Sequence, residues 1–286
     1  MTNTTERPSI LQTFEMTTDD FNKIRDLIYK HAGIVIGEAK KEMVYGRLVR
    51  RLRELGLTRF DQYLDILSKD LGSETEKFIN SLTTNLTSFF REAHHFPILT
   101  KHVSENRGNR TINIWCAAAS TGEEPYSIAM TMADLFSPNP APVKITATDL
   151  DTSVLEVAKA GIYNTPEVMK IPGNKAKIYF TAGKDLPANK MQVREDIRKM
   201  IAFSQLNLLS PRWNVQGPFD AIFCRNVLIY FDRPTQRRIL ERFIPLLRPN
   251  GLLFVGHSES LFHSSDIFKS VGHTAYEPII EPSLKK

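Results

Sequence analysis

Thr-Ile-Asn-Ile-Trp-Cys-Ala-Ala-Ala-Ser-Thr-Gly-Glu-Glu-Pro, residues 111–125, decides how the rest of the chain is read. Thr111–Cys116 is a short β-rich run. Pro125 suits the first turn of a helix reaching about Leu135. Between them lies a loop of small residues. Small side chains let the backbone pack closely and let a ligand approach, and Gly122 permits a positive φ at the bend. In an open α/β sheet such a loop lies at the carboxyl end of a strand, where ligands bind. One glycine, where a dinucleotide fingerprint has three, argues against that motif. Glu123 and Glu124 at the helix start would repel a pyrophosphate but can accept hydrogen bonds from an amine or hydroxyl. Equally, two carboxylates there complement the helix dipole.

Working outward, Val143–Thr148 is the next strand and ends in Thr148-Asp149-Leu150-Asp151. Folds of this kind hold ribose hydroxyls with an acidic residue at the end of the second strand, which makes Asp149 a candidate. Asp151 caps the helix Ser153–Ala160. Strand Phe219–Cys224, helix Thr235–Leu247, the turn Pro249-Asn250-Gly251 and strand Leu252–Val255 continue the alternation. The pattern predicts a largely parallel sheet covered on both faces. The stretch from Tyr163 to Phe203 breaks the rhythm. Its short runs Lys177–Phe180 and Lys190–Arg194, separated by Gly183, Pro187 and Asn189, predict a small antiparallel insertion at 168–203. Upstream, residues 17 to about 90 read as helix after helix. The first is capped at Thr17 or Thr18 and ends at Gly33. The second spans Glu38–Leu55, with Leu48, Leu52 and Leu55 as its buried stripe. A third starts at Thr58, and a fourth starts at Ser73, where Ser73 and Glu76 have capping-box spacing. The expected organisation is a flexible N-terminus at 1–15, a helical domain at 16–90 and an α/β domain at 91–286.

Composition narrows the class. The chain has 286 residues, of which 42% are hydrophobic and 24% charged. That excludes collagen, bulk disorder and a coiled-coil rod. Two cysteines, Cys116 and Cys224, each inside an apolar run, make neither a disulfide framework nor a zinc site. They fit a reducing compartment, hence a cytoplasmic location. No uncharged stretch approaches the ~20 residues of a membrane span, and the first residues lack the apolar core of a signal peptide. The formal charge of +5 suits an acidic partner and is weak evidence for nucleic acid.

Three segments together resemble the CheR family, the S-adenosylmethionine-dependent methyltransferases of bacterial chemotaxis receptors. They are Ala-Ala-Ala-Ser-Thr-Gly-Glu-Glu-Pro-Tyr-Ser (117–127), Thr-Thr-Asn-Leu-Thr-Ser-Phe-Phe-Arg-Glu (83–92) and Phe-Asp-Ala-Ile-Phe-Cys-Arg-Asn-Val-Leu-Ile-Tyr-Phe (219–231). The likeness runs from about Met16 to Ile280. It implies a Rossmann-like class I methyltransferase sheet with an N-terminal all-helical domain and an inserted antiparallel β subdomain. It also implies methyl transfer to the γ-carboxylate of receptor glutamates, leaving S-adenosylhomocysteine. The resemblance assigns Asn85, Thr87 and Arg91 to a segment closing over the cofactor. Glu124 and Asp149 take its methionine-side or ribose groups. Asn207 and Leu208 form the adenine-side loop, and Arg225 and Asn226 stand beside the reacting centre. Arg91 and Tyr230 are the implied catalytic residues.

The chemistry this implies needs no metal and no general base. A sulfonium is an activated methyl donor, and a glutamate with an unperturbed pKa near 4.3 is already ionised at neutral pH. The site has to align three atoms and exclude water. His94, His95, His257 and Glu259 therefore carry no expected catalytic or metal role. Arg47, Arg50, Arg51 and Arg53 lie opposite the leucine stripe. Seven basic and three acidic residues between Glu38 and Phe60 give a local net charge of +4. Such a run is usually a solvated face, but here it can dock the cytoplasmic helical region of a glutamate-bearing receptor. The insertion can bind a receptor C-terminal peptide by strand addition along Lys190–Arg194. No nucleic acid and no membrane insertion are expected. The competing functions are a methyltransferase for nucleic acid or a small molecule, and a non-catalytic cofactor-binding module. Against the first, Asn207-Leu208-Leu209-Ser210-Pro211 lacks the Pro-Pro-aromatic turn that stacks a flipped base. Against the second, Arg91 and Tyr230 are retained.

Overall fold

Asp20 reaches back to the main-chain N–H of Thr17 at 3.0 Å while the Thr17 hydroxyl accepts from the N–H of Asp20 at 3.1 Å, and this reciprocal cap starts α1 (Thr18–Ala32). Gly33, at φ 66°, ends it. These residues belong to a computed structural model that describes residues 14–69, 72–183 and 185–280. The expected flexible stretch 1–15 lies outside the described residues, apart from Phe14 and Glu15. The chain divides into two compact units, Met1–Thr83 and Thr84–Lys286, so the division falls before the residue 90 suggested by the sequence.

In the first unit α1 is followed by α2 (Lys41–Glu54), α3 (Phe60–Lys69) and α4 (Ser73–Leu82). Their apolar faces meet: Phe21, Ile24, Leu48, Leu52, Phe60, Tyr63 and Phe78 are all essentially inaccessible. Three local expectations need correction. Leu55 is exposed, because the helix ends one residue before it and Val44 and Val49 fill the stripe instead. Residue α3 begins at is Phe60, not Thr58, because the Gln62 side chain accepts from the main-chain N–H groups of Thr58 and Arg59 ahead of the first turn. Ser73 is the first residue of α4, and Gly72 holds the cap position, so no Ser73 capping box forms.

The second unit runs α5 (His95–Asn106), β1 (Ile112–Cys116), α6 (Glu123–Phe136), β2 (Val143–Asp149), α7 (Thr152–Ala160), β3 (Ile162–Asn164), α8 (Thr165–Val168), α9 (Lys175–Tyr179), β4 (Phe180–Thr181), β5 (Lys190–Val193), α10 (Glu195–Arg198), β6 (Ile201–Gln205), β7 (Phe219–Cys224), α11 (Arg233–Phe243), β8 (Leu247–Val255), β9 (Phe268–Gly272) and β10 (Ala275–Pro278). Seven of these strands form one sheet in the order β6-β2-β1-β7-β8-β10-β9. Its first five are parallel to one another, while β10 runs antiparallel to both β8 and β9. Side chains alternate across it with a period of two. Ile112, Ile114 and Cys116 join a core with α5 and α6, whereas Trp115 joins the opposite core with Ile239, Leu240 and Phe243 of α11. The sheet is thus covered on both faces, as the alternation predicts.

The insertion is a three-stranded antiparallel sheet in the order β3-β5-β4. It differs from the expected 168–203 segment in three ways. It recruits Ile162–Asn164 from upstream. It loses Ile201–Phe203, which pair with β2 in the main sheet. Lys177–Phe180, which alternates like a strand, is mostly helix α9, because Lys175 and Tyr179 both turn to Asp134 on α6.

Candidate active site at the strand ends

Strand order reverses between β1 and β7, since the chain builds one flank through β2 and β6 and then returns to lay down β7 and β8 on the other. The loops after these strands surround the crevice where open α/β sheets bind ligands. The β1 loop is pinned on both sides. Ala117 N donates to Phe223 O at 2.8 Å, and Ala119 N to Thr148 O at 2.9 Å. Ser120 then takes φ 48° and Gly122 φ 100°. A side chain at Gly122 would lie 2.7 Å from the Tyr163 hydroxyl and 2.9 Å from Ala158 Cβ, so both the bend and the packing require glycine.

Asp149, at the end of β2, accepts from Ser120 N at 2.7 Å and from Asp151 N at 3.0 Å. Burial pushes its carboxyl up, against the pull of these N–H groups. Asn85 joins the same corner: its side-chain amide donates to Asp151 Oδ2 at 2.8 Å, and its main-chain carbonyl accepts from the Ser120 hydroxyl at 2.9 Å. Asp151 also caps α7 through Ser153 and Val154. Asn207 follows β6, where its side chain accepts from Leu209 N at 2.8 Å and shapes the turn. Leu208 is buried, and its carbonyl accepts from Trp213 Nε1 at 3.2 Å.

Arg225 organises the other half. Its side chain is 1% exposed. It donates to Glu124 Oε2 at 2.6 Å, to the Arg91 carbonyl at 2.6 Å, and to Glu92 Oε2 at 3.2 Å. Burial opposes its charge, but the two carboxylates outweigh burial and hold its pKa above the ordinary value. Glu124 spends its other oxygen on the Cys116 thiol at 3.2 Å. The next residue, Asn226, sits at φ 58° and gives its N–H to Glu259 Oε2 at 2.7 Å. Glu259 is buried and also accepts from Gly256 N at 2.6 Å and Ile229 N at 3.3 Å. It therefore ties the turn carrying Asn226 and Tyr230 to the loop after β8. Tyr230 is half-buried at the end of the short turn Leu228–Tyr230. Arg91 is half-buried and donates to Leu86 O at 2.9 Å. Among the described residues no carboxylate lies within ion-pair distance of it. Thr87 is set beside a cavity of about 260 Å³ that it lines with Phe89, Glu123, Glu167 and Lys170.

Sequence reasoning missed Ser120, Glu92 and Glu259 as the groups that hold this arrangement. Ser120 stood inside the quoted loop, but a donated main-chain N–H leaves no mark on side-chain type. Glu92 and Glu259 gather N–H groups from segments far apart in sequence, which only the fold brings together. The four arginines of α2, expected to act alike, do not. Arg51 is paired with Glu74 and Glu54, and Arg47 donates to the carbonyls of Leu82 and Thr83. Only Arg50 and Arg53 are exposed.

Counting the main sheet's own strands in chain order, its sequence is 3-2-1-4-5-7-6 with the seventh antiparallel. With a small-residue loop after the first strand and an acid at the end of the second, this is a class I S-adenosylmethionine-dependent methyltransferase. Residues 19–83 match the CheR methyltransferase all-alpha domain and residues 85–277 the CheR methyltransferase SAM binding domain. The chain is 52% identical over 257 residues to a chemotaxis protein methyltransferase of Escherichia coli (strain K12), covering 90% of this chain and 89% of that one. It is 50% identical to the one from Salmonella typhimurium, covering 93% and 92%, and 47% identical to chemotaxis protein methyltransferase 2 of Pseudomonas aeruginosa, covering 93% and 95%. The chain belongs to the CheR family.

Proposed function

We propose that the chain methylates the γ-carboxylate of specific glutamates on methyl-accepting chemotaxis receptors, forming methyl esters in the cytoplasm. The observation that carries this is the contrast between two arginines at the strand ends. Arg225 is neutralised by two carboxylates, whereas Arg91 has none among the described residues. An uncompensated guanidinium beside the crevice suits an anionic acceptor, which it can hold by a charge-assisted hydrogen bond. The names of the curated relatives support the same reading.

The residues fit S-adenosylmethionine by the chemistry of their donors. Asp149, Asn85 and Asn207 suit hydroxyl and amino groups, and the loop after β1 offers no cluster of cations for phosphate. When bound, the cofactor supplies a methyl group on a sulfonium. Arg91 holds the acceptor carboxylate without gripping it so tightly that the ground state gains more than the transition state. Tyr230 orients it. Arg225 and Glu124 set the Arg91 main chain, and Asp149 fixes the ribose end. No residue takes a proton, because the acceptor is already ionised.

Docking of the receptor's helical region falls to Arg50 and Arg53. A receptor C-terminal peptide can still add to the small sheet, but not along Lys190–Arg194. That strand is β5, paired on both sides, so only the outer edges of β3 and β4 remain for strand addition. Among the described residues no helix is long and apolar enough to cross a membrane.

The test is transfer of tritiated methyl to receptor-containing membranes, to RNA and to buffer alone, followed by alkaline treatment. Volatile methanol released from the receptor sample is the expected result. Base-stable label on RNA would reverse the assignment.

A further inference from the structure

Glu92, which braces Arg225, sits with His94 and His95 at the start of α5, and the two histidines have no part in the arrangement described above. Each of the three offers a ligand atom, and these atoms all lie within 4.8 Å of one another. His95 is completely buried. Its Nε2 lies 2.9 Å from the carbonyl of His273 and 2.9 Å from the Thr274 hydroxyl. A carbonyl oxygen only accepts, so Nε2 carries the proton and Nδ1 presents a bare lone pair. That Nδ1 has no hydrogen-bond partner among the described residues. What it faces, at 3.9 Å, is a carboxylate oxygen of Glu92.

The Glu92 oxygen is already held by Arg225 at 3.2 Å and by His257 N at 3.0 Å, so the group left without a donor is the buried Nδ1, which a cation placed between the two would satisfy. A separation of 3.9 Å is too long for a hydrogen bond. Tetrahedral ligands on bonds of about 2.0–2.2 Å stand roughly 3.3–3.6 Å apart, so an approach of a few tenths of an ångström brings both atoms onto one ion. The Nε2–H bond to a backbone carbonyl is also what orients a metal-bound imidazole. His94 completes a three-residue set, its ring 4.3 Å from that of His95, and the His273 ring is 5.6 Å from His94. Two imidazoles and a carboxylate make a donor set of the zinc type with one position left open.

We propose that Glu92, His94 and His95 bind a divalent transition-metal ion of the zinc class, and that the bound ion slows methyl transfer. The second half follows from Glu92, which also accepts from Arg225, from His257 N at 3.0 Å and from Asn226 Nδ2 at 3.4 Å. An ion drawing on Glu92 competes with Arg225, and Arg225 supports Glu124 and the Arg91 main chain.

The binding test uses tag-free full-length protein titrated with Co²⁺ and followed by visible absorption. One equivalent should produce saturable d–d bands that Zn²⁺ displaces. His94→Ala, at a partly exposed position, should weaken binding at least tenfold without unfolding the chain, and Glu92→Gln should do the same. No bands at several hundred micromolar Co²⁺, or bands unchanged in both variants, would overturn the site. This readout is independent of the methyl acceptor. The rate arm, which does rest on the proposed reaction, adds Zn²⁺ to the methanol-release assay. Inhibition reversed by a chelator and blunted in His94→Ala is expected; a saturated site with an unchanged rate would overturn the coupling to Arg225.

Discussion

The Arg51 guanidinium bonds Glu74 through two nitrogens, at 2.7 and 2.5 Å, and Glu54 through a third, while Tyr63 adds its hydroxyl to Glu74 at 3.0 Å. Burial alone would raise the Glu74 carboxyl, but Arg51 and Tyr63 together outweigh it and hold it below its ordinary 4.5. Its folded pKa is thus depressed, so the stability it contributes is present above about pH 4.5 and is lost as pH falls through the folded value. Arg51→Ala takes the guanidinium away from the buried Glu74 carboxylate, leaving the weaker Tyr63 hydrogen bond, and should destabilise the chain by about 3 kcal/mol. Arg50→Ala, on a side chain 86% exposed, should change stability by less than about 0.5 kcal/mol. Thermal melts at pH 7 and pH 4 check both, and the Arg51 deficit should shrink at the lower pH. Asp149 is the other residue whose role is separable. Asp149→Ala should cost roughly 1.5–3 kcal/mol of S-adenosylhomocysteine affinity, about ten- to a hundredfold, by loss of hydrogen bonds to a charged group. Unchanged affinity by calorimetry would remove it from the site. The place of Asp149 at the end of β2 was legible in the sequence, because a strand's end is marked locally. The division of labour between Arg50 and Arg51 was not legible, because Glu74 lies on another helix and nothing local marks the pair.

Elements whose signals are local came through well. Thr17, Gly33, Gly122 and Asp151 mark helix ends by side-chain chemistry or φ, and the period-two runs Ile112–Cys116 and Phe219–Cys224 are strands as read. The β9–β10 hairpin was invisible for a physical reason. Its turn places His273 and Thr274 at φ 51° and 57°, where Asn-Gly would be the usual signal. The short strands of the insertion were misjudged because a few residues of alternation cannot compete with Asp134 drawing Lys175 and Tyr179 into a helix. Loops between elements carry the positioning, and Gly256 tests this. A Cβ there would stand 2.4 Å from Asn226 Nδ2 and 2.8 Å from Glu259 Oε2. Gly256→Ala should therefore push apart the two loops that Glu259 joins. The expected stability loss is about 1–3 kcal/mol. Methyl transfer, measured well below the melting midpoint, should fall by up to about a hundredfold, as misplaced reacting groups do. A wild-type rate in a folded variant would show that the joint between these loops does not position the reacting groups.

At the scale of the whole molecule, the sequence made the class of sheet legible because a crossover fold repeats one grammar, and the strand order then follows from few permitted connections. The network around Arg225 was not legible, because its partners Glu92, Glu124 and the Arg91 carbonyl come from separate segments. Charge is the remaining molecular property. The net +5 is modest, yet +4 of it can be counted between Glu38 and Phe60. Internal pairing of Arg51 and the carbonyl bonds of Arg47 leave Arg50 and Arg53 to meet a partner. Arg53 stands 5.5 Å from the centre of the Phe14 ring, and Arg50 has one loose contact, 3.6 Å to Glu54. Such exposed charges contribute to encounter more than to held contacts. Arg50→Glu combined with Arg53→Glu should therefore raise the apparent KM for receptor several-fold at low salt while leaving cofactor affinity and the melting midpoint unchanged. The effect should fade as ionic strength rises, since exposed charges are screened beyond about 8 Å at physiological salt. Arg47→Glu is the informative comparison, because it breaks two bonds to main-chain carbonyls and should lower the melting midpoint whatever the salt. Steady-state assays across a salt series separate the two. A KM that is unchanged at low salt in the Arg50, Arg53 variant would return this face to ordinary solvated surface and move receptor recognition elsewhere on the molecule.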